Sequence, residues 1–234
     1  MQRQLIFDLH NRYQARFSDF LGEQAHYLCV QVRRVISGDE RFAYLYGGAG
    51  SGKTHLLESA CYEALMGGKR VMYIDLRHQH QYTPDMLAGL EGMELVCLDN
   101  IDAIAGYRPW EEGVFHLFNR LQAAGIPLLV TASAVPLQLS LCLPDLQTRL
   151  SIGVSCQVHA LSDDERAQIV LQRAARMGLS LPASCLQYIM RHYERSMHPM
   201  LRLLDRITTL AFEQKKAITL SLVKAAIKKN KSRG

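Results

Sequence analysis

What this 234-residue chain lacks sets its first bounds. No two of its six cysteines (Cys29, Cys61, Cys97, Cys142, Cys156, Cys185) are spaced C-x-x-C, and most lie inside apolar runs. That spacing excludes a disulfide framework and predicts buried thiols in a reducing compartment. No signal-peptide pattern and no apolar run of membrane-spanning length is present, so the expected location is cytoplasmic. Internal repeats and low-complexity stretches are also missing. Neither sign of charge dominates: 27 basic against 22 acidic residues leave +5. Part of the basic excess is gathered in Lys228-Lys229-Asn230-Lys231-Ser232-Arg233, read as a solvated tail, with weak nucleic-acid contact as the other reading.

The length suffices for one large core and a small second domain. Through about residue 160 short apolar β-runs alternate with helical patterns, and beyond it only helical patterns remain. The strands are expected at 42–46, 70–75, 94–99, 127–132 and 154–159. Most are almost continuously apolar, as strands covered on both faces must be, which predicts an α/β fold with a parallel five-stranded sheet between helices. Helices are expected at 53–65 and 110–124 in this region, and at 163–177, 182–194, 199–214 and 220–229 in an all-helical C-terminal domain. Ser162-Asp163-Asp164-Glu165 opens that domain with a capping box.

The most specific signal is GGAGSGKT at 47–54, directly after the first β-run. Glycines at Gly47, Gly48, Gly50 and Gly52, with Ser51 between, let backbone N–H groups turn inward around phosphates. Lys53 adds a positive charge, the Thr54 hydroxyl can ligate Mg²⁺, and His55 follows in the same helix. Glu94-Leu95-Val96-Cys97-Leu98-Asp99 is an apolar strand that ends in a carboxylate, so Asp99 would share the Mg²⁺ shell with Thr54. The next residue, usually acidic in active ATPases of this class, is Asn100. An amide positions water but cannot take its proton, so intrinsic hydrolysis should be slowed by a factor on the order of 10². Asp102 could substitute, or serve only as a turn carboxylate. At the end of the fourth strand Thr131 and Ser133 are candidates to contact the γ-phosphate or the water; a strand-end cap explains either equally well.

Two further segments narrow the reading. Trp110-Glu111-Glu112-Gly113-Val114-Phe115-His116-Leu117-Phe118-Asn119-Arg120-Leu121 resembles the E-E-x-F-H-x-F-N helix of the replication initiator DnaA, and Leu143-Pro144-Asp145-Leu146-Gln147-Thr148-Arg149-Leu150 with Gly153 resembles its L-x-x-R-L/F-x-x-G segment. The order of elements is similar to that of AAA+ proteins, and the chain stops where DnaA would carry its helix-turn-helix domain. It therefore resembles the short DnaA-related proteins of the regulatory inactivator (Hda) family. Gln4-Leu5-Ile6-Phe7-Asp8-Leu9 is similar to the peptides that dock in the bacterial sliding clamp, where Gln4 would fix register and Leu5, Phe7 and Leu9 would fill pockets.

The resemblance implies three segments: a clamp-binding peptide at 1–14, an AAA+ nucleotide-binding core at 15–160 and a helical lid with its basic tail at 161–234. It implies a regulator that binds ADP or ATP with Mg²⁺ and, with the DNA-loaded DNA polymerase III sliding clamp, stimulates hydrolysis of the ATP held by DnaA. That activity would restrain re-initiation of replication. Arg149 would act in trans as an arginine finger; otherwise it is a surface arginine paired with Asp145 or Asp164. In the lid the family's sensor 2 arginine is replaced by His198, and Arg202 one turn on could compensate, which favours a diphosphate-bound, weakly hydrolysing state. Phe17, Phe20 and Leu21 resemble the segment that sandwiches adenine, although core packing explains them equally. Trp110 is a partner contact or a helix anchor. Arg77-His78-Gln79-His80-Gln81-Tyr82 reads as a polar loop. A helicase loader of the DnaC or IstB type, a plain ATP hydrolase and a non-catalytic DnaA–clamp tether remain as alternatives, and the sequence does not fix whether the free protein is a monomer or a homodimer.

Overall fold

Alternation along the strands decides the architecture. Phe42 and Tyr44 of β1 (Phe42–Tyr46) enter one apolar cluster and Ala43 and Leu45 the other. The same alternation holds in β2 (Val71–Asp75), where Met72 and Ile74 oppose Val71, and in β3 (Leu95–Asp99), where Val96 and Leu98 oppose Leu95 and Cys97. A sheet apolar on both faces must be covered on both. The computed structural model, which describes residues 15–193, 197–213 and 217–231, covers it with α1 (Ala25–Ser37) and α2 (Lys53–Met66) on one side and α3 (Arg108–Ala124) and α4 (Pro144–Leu150) on the other.

All strand pairs are parallel, in the order β2-β3-β4-β1-β5, with β4 (Leu128–Ala132) and β5 (Val154–Gln157) on either side of β1. β4 thus lies between the strand that feeds the glycine loop and the strand that ends in Asp99. The register sets Asp75 opposite Asp99 and Tyr46 opposite Ala132, so the chemistry-bearing strand ends come out on one edge of the sheet.

Most strands are a residue or two shorter than expected, and α3 begins at Arg108 rather than 110. Pro109 falls in its first turn, where a missing N–H costs nothing. Two segments differ in kind. Most of 77–82, expected as a polar loop, lies in a 3₁₀ helix (Leu76–Gln81) whose N-cap Asp75 accepts from the Arg77 backbone N–H. The segment 144–150 forms α4, seven residues with Pro144 in the first turn.

The chain divides between Ala160 and Leu161 into two compact units. The second consists of α5 (Asp163–Arg176), α6 (Ala183–His192), α7 (Met197–Glu213) and α8 (Leu220–Lys231). The capping box is formed: Ser162 Oγ accepts from the Glu165 N–H at 3.2 Å, and the Glu165 carboxylate accepts from the Ser162 N–H at 2.8 Å. Met200, Leu203, Leu204, Ile207 and Ala211, at steps of three and four, turn one stripe of α7 into that unit's core. Among the described residues no helix is long and apolar enough to cross a membrane.

Candidate nucleotide site

The phosphate loop leaves β1 through a gap only glycine passes. Gly47 donates its N–H to the Ala132 carbonyl at 3.2 Å, and a Cβ on it would lie 2.1 Å from the Val158 carbonyl oxygen. Beyond it, the N–H groups of Gly48, Ala49, Gly50 and Gly52 have no hydrogen-bond partner among the described residues. Gly52, at φ 99°, then turns the chain directly into α2. Unpaired loop donors at the positive end of a helix form a cradle for an anion.

Lys53 Nζ donates to the Gly47 and Gly48 carbonyls at 2.6 and 2.9 Å and reaches Ser51 Oγ at 3.4 Å. Burial lowers its pKa, with Asp99 and Asp102 opposing that shift. Phe17 is buried in the core, while Phe20 stacks on His55 with ring centroids 5.9 Å apart and lies 2.8 Å from where a Gly52 Cβ would stand. His55 Nε2 lies 3.0 Å from the Arg16 carbonyl oxygen, and burial lowers its pKa against the opposing pull of that bond and of Asp19.

Asp99 is fully buried, and hydroxyl groups surround it. Thr54 Oγ1 donates to its Oδ2 at 2.7 Å, Tyr73 OH to the same oxygen at 2.8 Å, and Thr131 Oγ1 to Oδ1. Neutral donors satisfy a buried carboxylate without cancelling its charge, so it retains its attraction for a cation. Thr54 and Asp99 together offer the hard oxygen ligands that Mg²⁺ takes. Among the described residues no group of three acidic, histidine or cysteine side chains could hold a metal alone, so the remaining ligands would be phosphate oxygens and water, as is usual for this ion.

Thr131 is therefore turned inward. Its hydroxyl also accepts the Asn100 N–H at 2.9 Å, whereas Ser133 is exposed at the strand end, its N–H bonded to Asp102 Oδ1 at 2.9 Å. Asp102 is thus tied to the end of β4 as a turn carboxylate. Asn100 is the one non-glycine among the described residues with a left-handed backbone (φ 60°), and its Nδ2 donates to Asp75 Oδ1 at 3.1 Å. Arg77 grips the same Asp75, its Nη2 at 2.6 Å from Oδ2 and its Nε at 3.0 and 3.1 Å from the two oxygens. Burial pushes the Asp75 carboxyl up, but the Arg77 side chain and N–H, with Asn100, outweigh it and hold it below the usual range.

Arg149 lies away from this cluster, on α4. Leu146 and Leu150 are fully buried beneath that helix, and Gln147 Nε2 donates to the Pro136 carbonyl at 2.9 Å. Arg149 is half-buried, and its guanidinium has no hydrogen-bond or ion-pair partner among the described residues, Asp145 included. Trp110 is buried at the start of α3, a helix anchor. In the helical unit the His198 backbone belongs to the first turn of α7 while its side chain lies outside the described residues, and Arg202 is exposed one turn on. Gln4, Leu5, Phe7 and Leu9 lie outside the described residues.

Sequence reasoning gave no role to Tyr73 and Asp75, and quoted Glu111 only within the motif of α3. The first two are site residues only because the parallel register sets Tyr73 opposite Cys97 and Asp75 opposite Asp99. The third carried a signal: Glu111 occupies the buried stripe of α3 with Val114 and Phe118, three and seven residues on, where an apolar residue is expected.

The model of the bacterial DnaA ATPase domain matches residues 11–157, and that of the Hda lid domain matches residues 163–227. The chain belongs to the DnaA-related AAA+ proteins of the Hda type. Domain III of DnaA from Thermotoga maritima is similar in structure, with a TM-score of 0.73 at 18% identity over 92% of this chain and 96% of that one. AMPPCP-bound DnaA from Aquifex aeolicus gives 0.68 at 22% identity, over 87% of this chain and 69% of that one. The likeness extends to the RuvB branch-migration motor of Thermotoga maritima, at 0.66 and 17% identity, over 92% and 72%. At such identities the likeness establishes the AAA+ fold, and the family models establish the DnaA relationship.

Proposed function

We propose that this Hda-type chain is a nucleotide-bound regulator of replication initiation that, with the DNA-loaded sliding clamp, stimulates hydrolysis of the ATP held by the initiator DnaA. The observation that carries this reading is Arg149: an arginine whose guanidinium has no partner among the described residues, on a helix fixed from below by Leu146, Leu150 and Gln147. A guanidinium presented this way serves a neighbour's phosphates. Spread over transition-state oxygens in trans, such a finger contributes a rate factor of roughly 10³–10⁵.

The chain's own site supports a structural use of nucleotide. Loop N–H groups and Lys53 would hold ADP or ATP, and Thr54 with Asp99 would hold Mg²⁺. When bound, the nucleotide and its ion would supply the charge that sets the active assembly. Asn100 cannot accept a proton from water, and its amide is already engaged with Asp75, which accords with weak intrinsic turnover. His198 in place of the sensor 2 arginine agrees with that reading, and Gln4, Leu5, Phe7 and Leu9 would recruit the clamp.

The test is conversion of labelled ATP to ADP on preloaded DnaA in the presence of DNA-loaded clamp. The chain should accelerate conversion, and Arg149→Ala should lose at least 10³-fold of that acceleration with clamp binding intact. An unaltered rate for Arg149→Ala would remove the finger and leave a tether; no acceleration by the wild-type chain would turn attention to a helicase-loader role.

A further inference from the structure

Glu111 is fully buried and takes no part in the nucleotide site. Its Oε1 accepts the Gly106 N–H at 2.7 Å and the Cys142 N–H at 3.1 Å, and its Oε2 accepts the Leu143 N–H at 2.8 Å. All three partners are donors and both oxygens accept, so the arrangement suits a carboxylate and nothing else of that size. A glutamine would offer one accepting oxygen and turn an NH₂ toward another N–H. Charge-assisted bonds of this kind are about twice as strong as neutral ones, and a buried donor left unmatched is costly.

The three donors belong to two separate loops. Gly106 lies just before α3, where Glu111 itself sits in the early turns; Cys142 and Leu143 lead directly into α4. Leu143 is the N-cap residue of α4, extended at φ −102° and ψ 101°, and it has no side chain able to cap the helix. The entry of α4 is thus fixed by a carboxylate reaching from α3, and its underside by Leu146 and Leu150. A seven-residue helix is a stiff lever, so any shift at Leu143 is carried to Arg149 less than two turns later.

We infer that Glu111 is the positioning residue for Arg149: it pins the loop that enters α4 and so aims the guanidinium at the neighbour's nucleotide. This inference rests on the finger reading of Arg149. Glu111 touches no reacting atom, and its role is in the geometry of attack, where a displacement of about 1 Å costs on the order of 10²-fold in rate.

The full chain is tested in the clamp-dependent DnaA assay. Glu111→Gln should lower the maximal rate by roughly 10- to 10²-fold while the concentration for half-maximal stimulation and the chain's own affinity for ADP stay at wild-type values. The pair Glu111→Gln with Arg149→Ala should be no slower than Arg149→Ala alone, and Glu111→Asp, which keeps the carboxylate on a shorter arm, should recover part of the rate. Loss of ADP affinity in step with rate would make Glu111 a general structural support and overturn the inference. A wild-type rate for Glu111→Gln alongside an inactive Arg149→Ala would overturn it while leaving the finger standing; a wild-type rate for Arg149→Ala would remove both. Amide hydrogen exchange on the wild-type protein needs no variant. The Gly106, Cys142 and Leu143 amides should be protected like those of α3, and exchange at the rate of open loops would overturn the inference.

Discussion

The α/β unit and the helical unit bury different things. Every polar residue buried as a whole among the described residues (Ser51, Ser59, Asp99, Glu111, Thr131) belongs to the first, while the second buries apolar residues and, of its polar side chains, only parts such as the Nε atoms of Arg166 and Arg173. Apolar packing tolerates exchange of one side chain for another of similar volume, whereas a buried carboxylate with fixed donors tolerates almost none. Sequence-exact chemistry is thus concentrated in one unit, and the other is held together by shape and volume.

That contrast can be broken at several points. The largest expected effect is at Gly47, where alanine places a methyl group 2.1 Å from the Val158 carbonyl oxygen. Backbone faces backbone there, so Gly47→Ala should lower nucleotide affinity by 10²-fold or more, as read by calorimetric titration with ADP; near-normal affinity would mean the loop leaves β1 differently. In the helical unit Ile207→Ala empties a fully buried site and should cost about 2–5 kcal/mol in thermal or denaturant melts, with ADP binding retained. If ADP binding fell with it, the units would not be separable in function. Ser162→Ala removes one arm of the capping box and should cost about 0.5–2 kcal/mol, seen as earlier melting of helical signal.

The smallest effect lies in acid. The folded-state pKa of Asp75 is depressed, so its contribution to stability is fully present above the unfolded value of about 4 and is lost as pH falls through the lower folded value. In Arg77→Ala the guanidinium is gone while the N–H of residue 77 and Asn100 still face the carboxylate, so burial is less fully opposed and the loss should begin at higher pH. Melting temperatures measured between pH 3 and pH 7 decide the matter, and superimposable profiles for the two proteins would show that Arg77 does not set the Asp75 equilibrium.

Legibility in the sequence follows the same division. The strands and the phosphate loop could be read because their signals are local: continuous apolar runs, one glycine-rich motif, a terminal carboxylate. The helices of the second unit could be read from their stripes and from Ser162 with Glu165. What stayed hidden depends on register between distant segments. Nothing in Val71–Asp75 says that Tyr73 will reach Asp99, 26 positions away, or that Asn100 will bond Asp75, 25 positions away. The helix at Pro144–Leu150 was missed because seven residues hold too little periodicity to declare themselves. Thr131 and Ser133 were equal candidates until the end of the strand separated them: Thr131 lies within β4 and donates to Asp99, whereas Ser133 follows its last residue and is exposed.

The left-handed turn at Asn100 has a consequence for how this site can change. Asparagine and aspartate enter that conformation readily, whereas glutamate does so at a cost of roughly 1–2 kcal/mol. A glutamate at position 100 would have to open the turn, and an aspartate would set an acid against Asp75, which now accepts a hydrogen bond from that position. Neither single step is neutral. Descendants of this chain, natural or engineered, would have to alter Asp75 in concert with Asn100 to regain a carboxylate there, so two residues, one at the end of β2 and one just after β3, form one mutational latch.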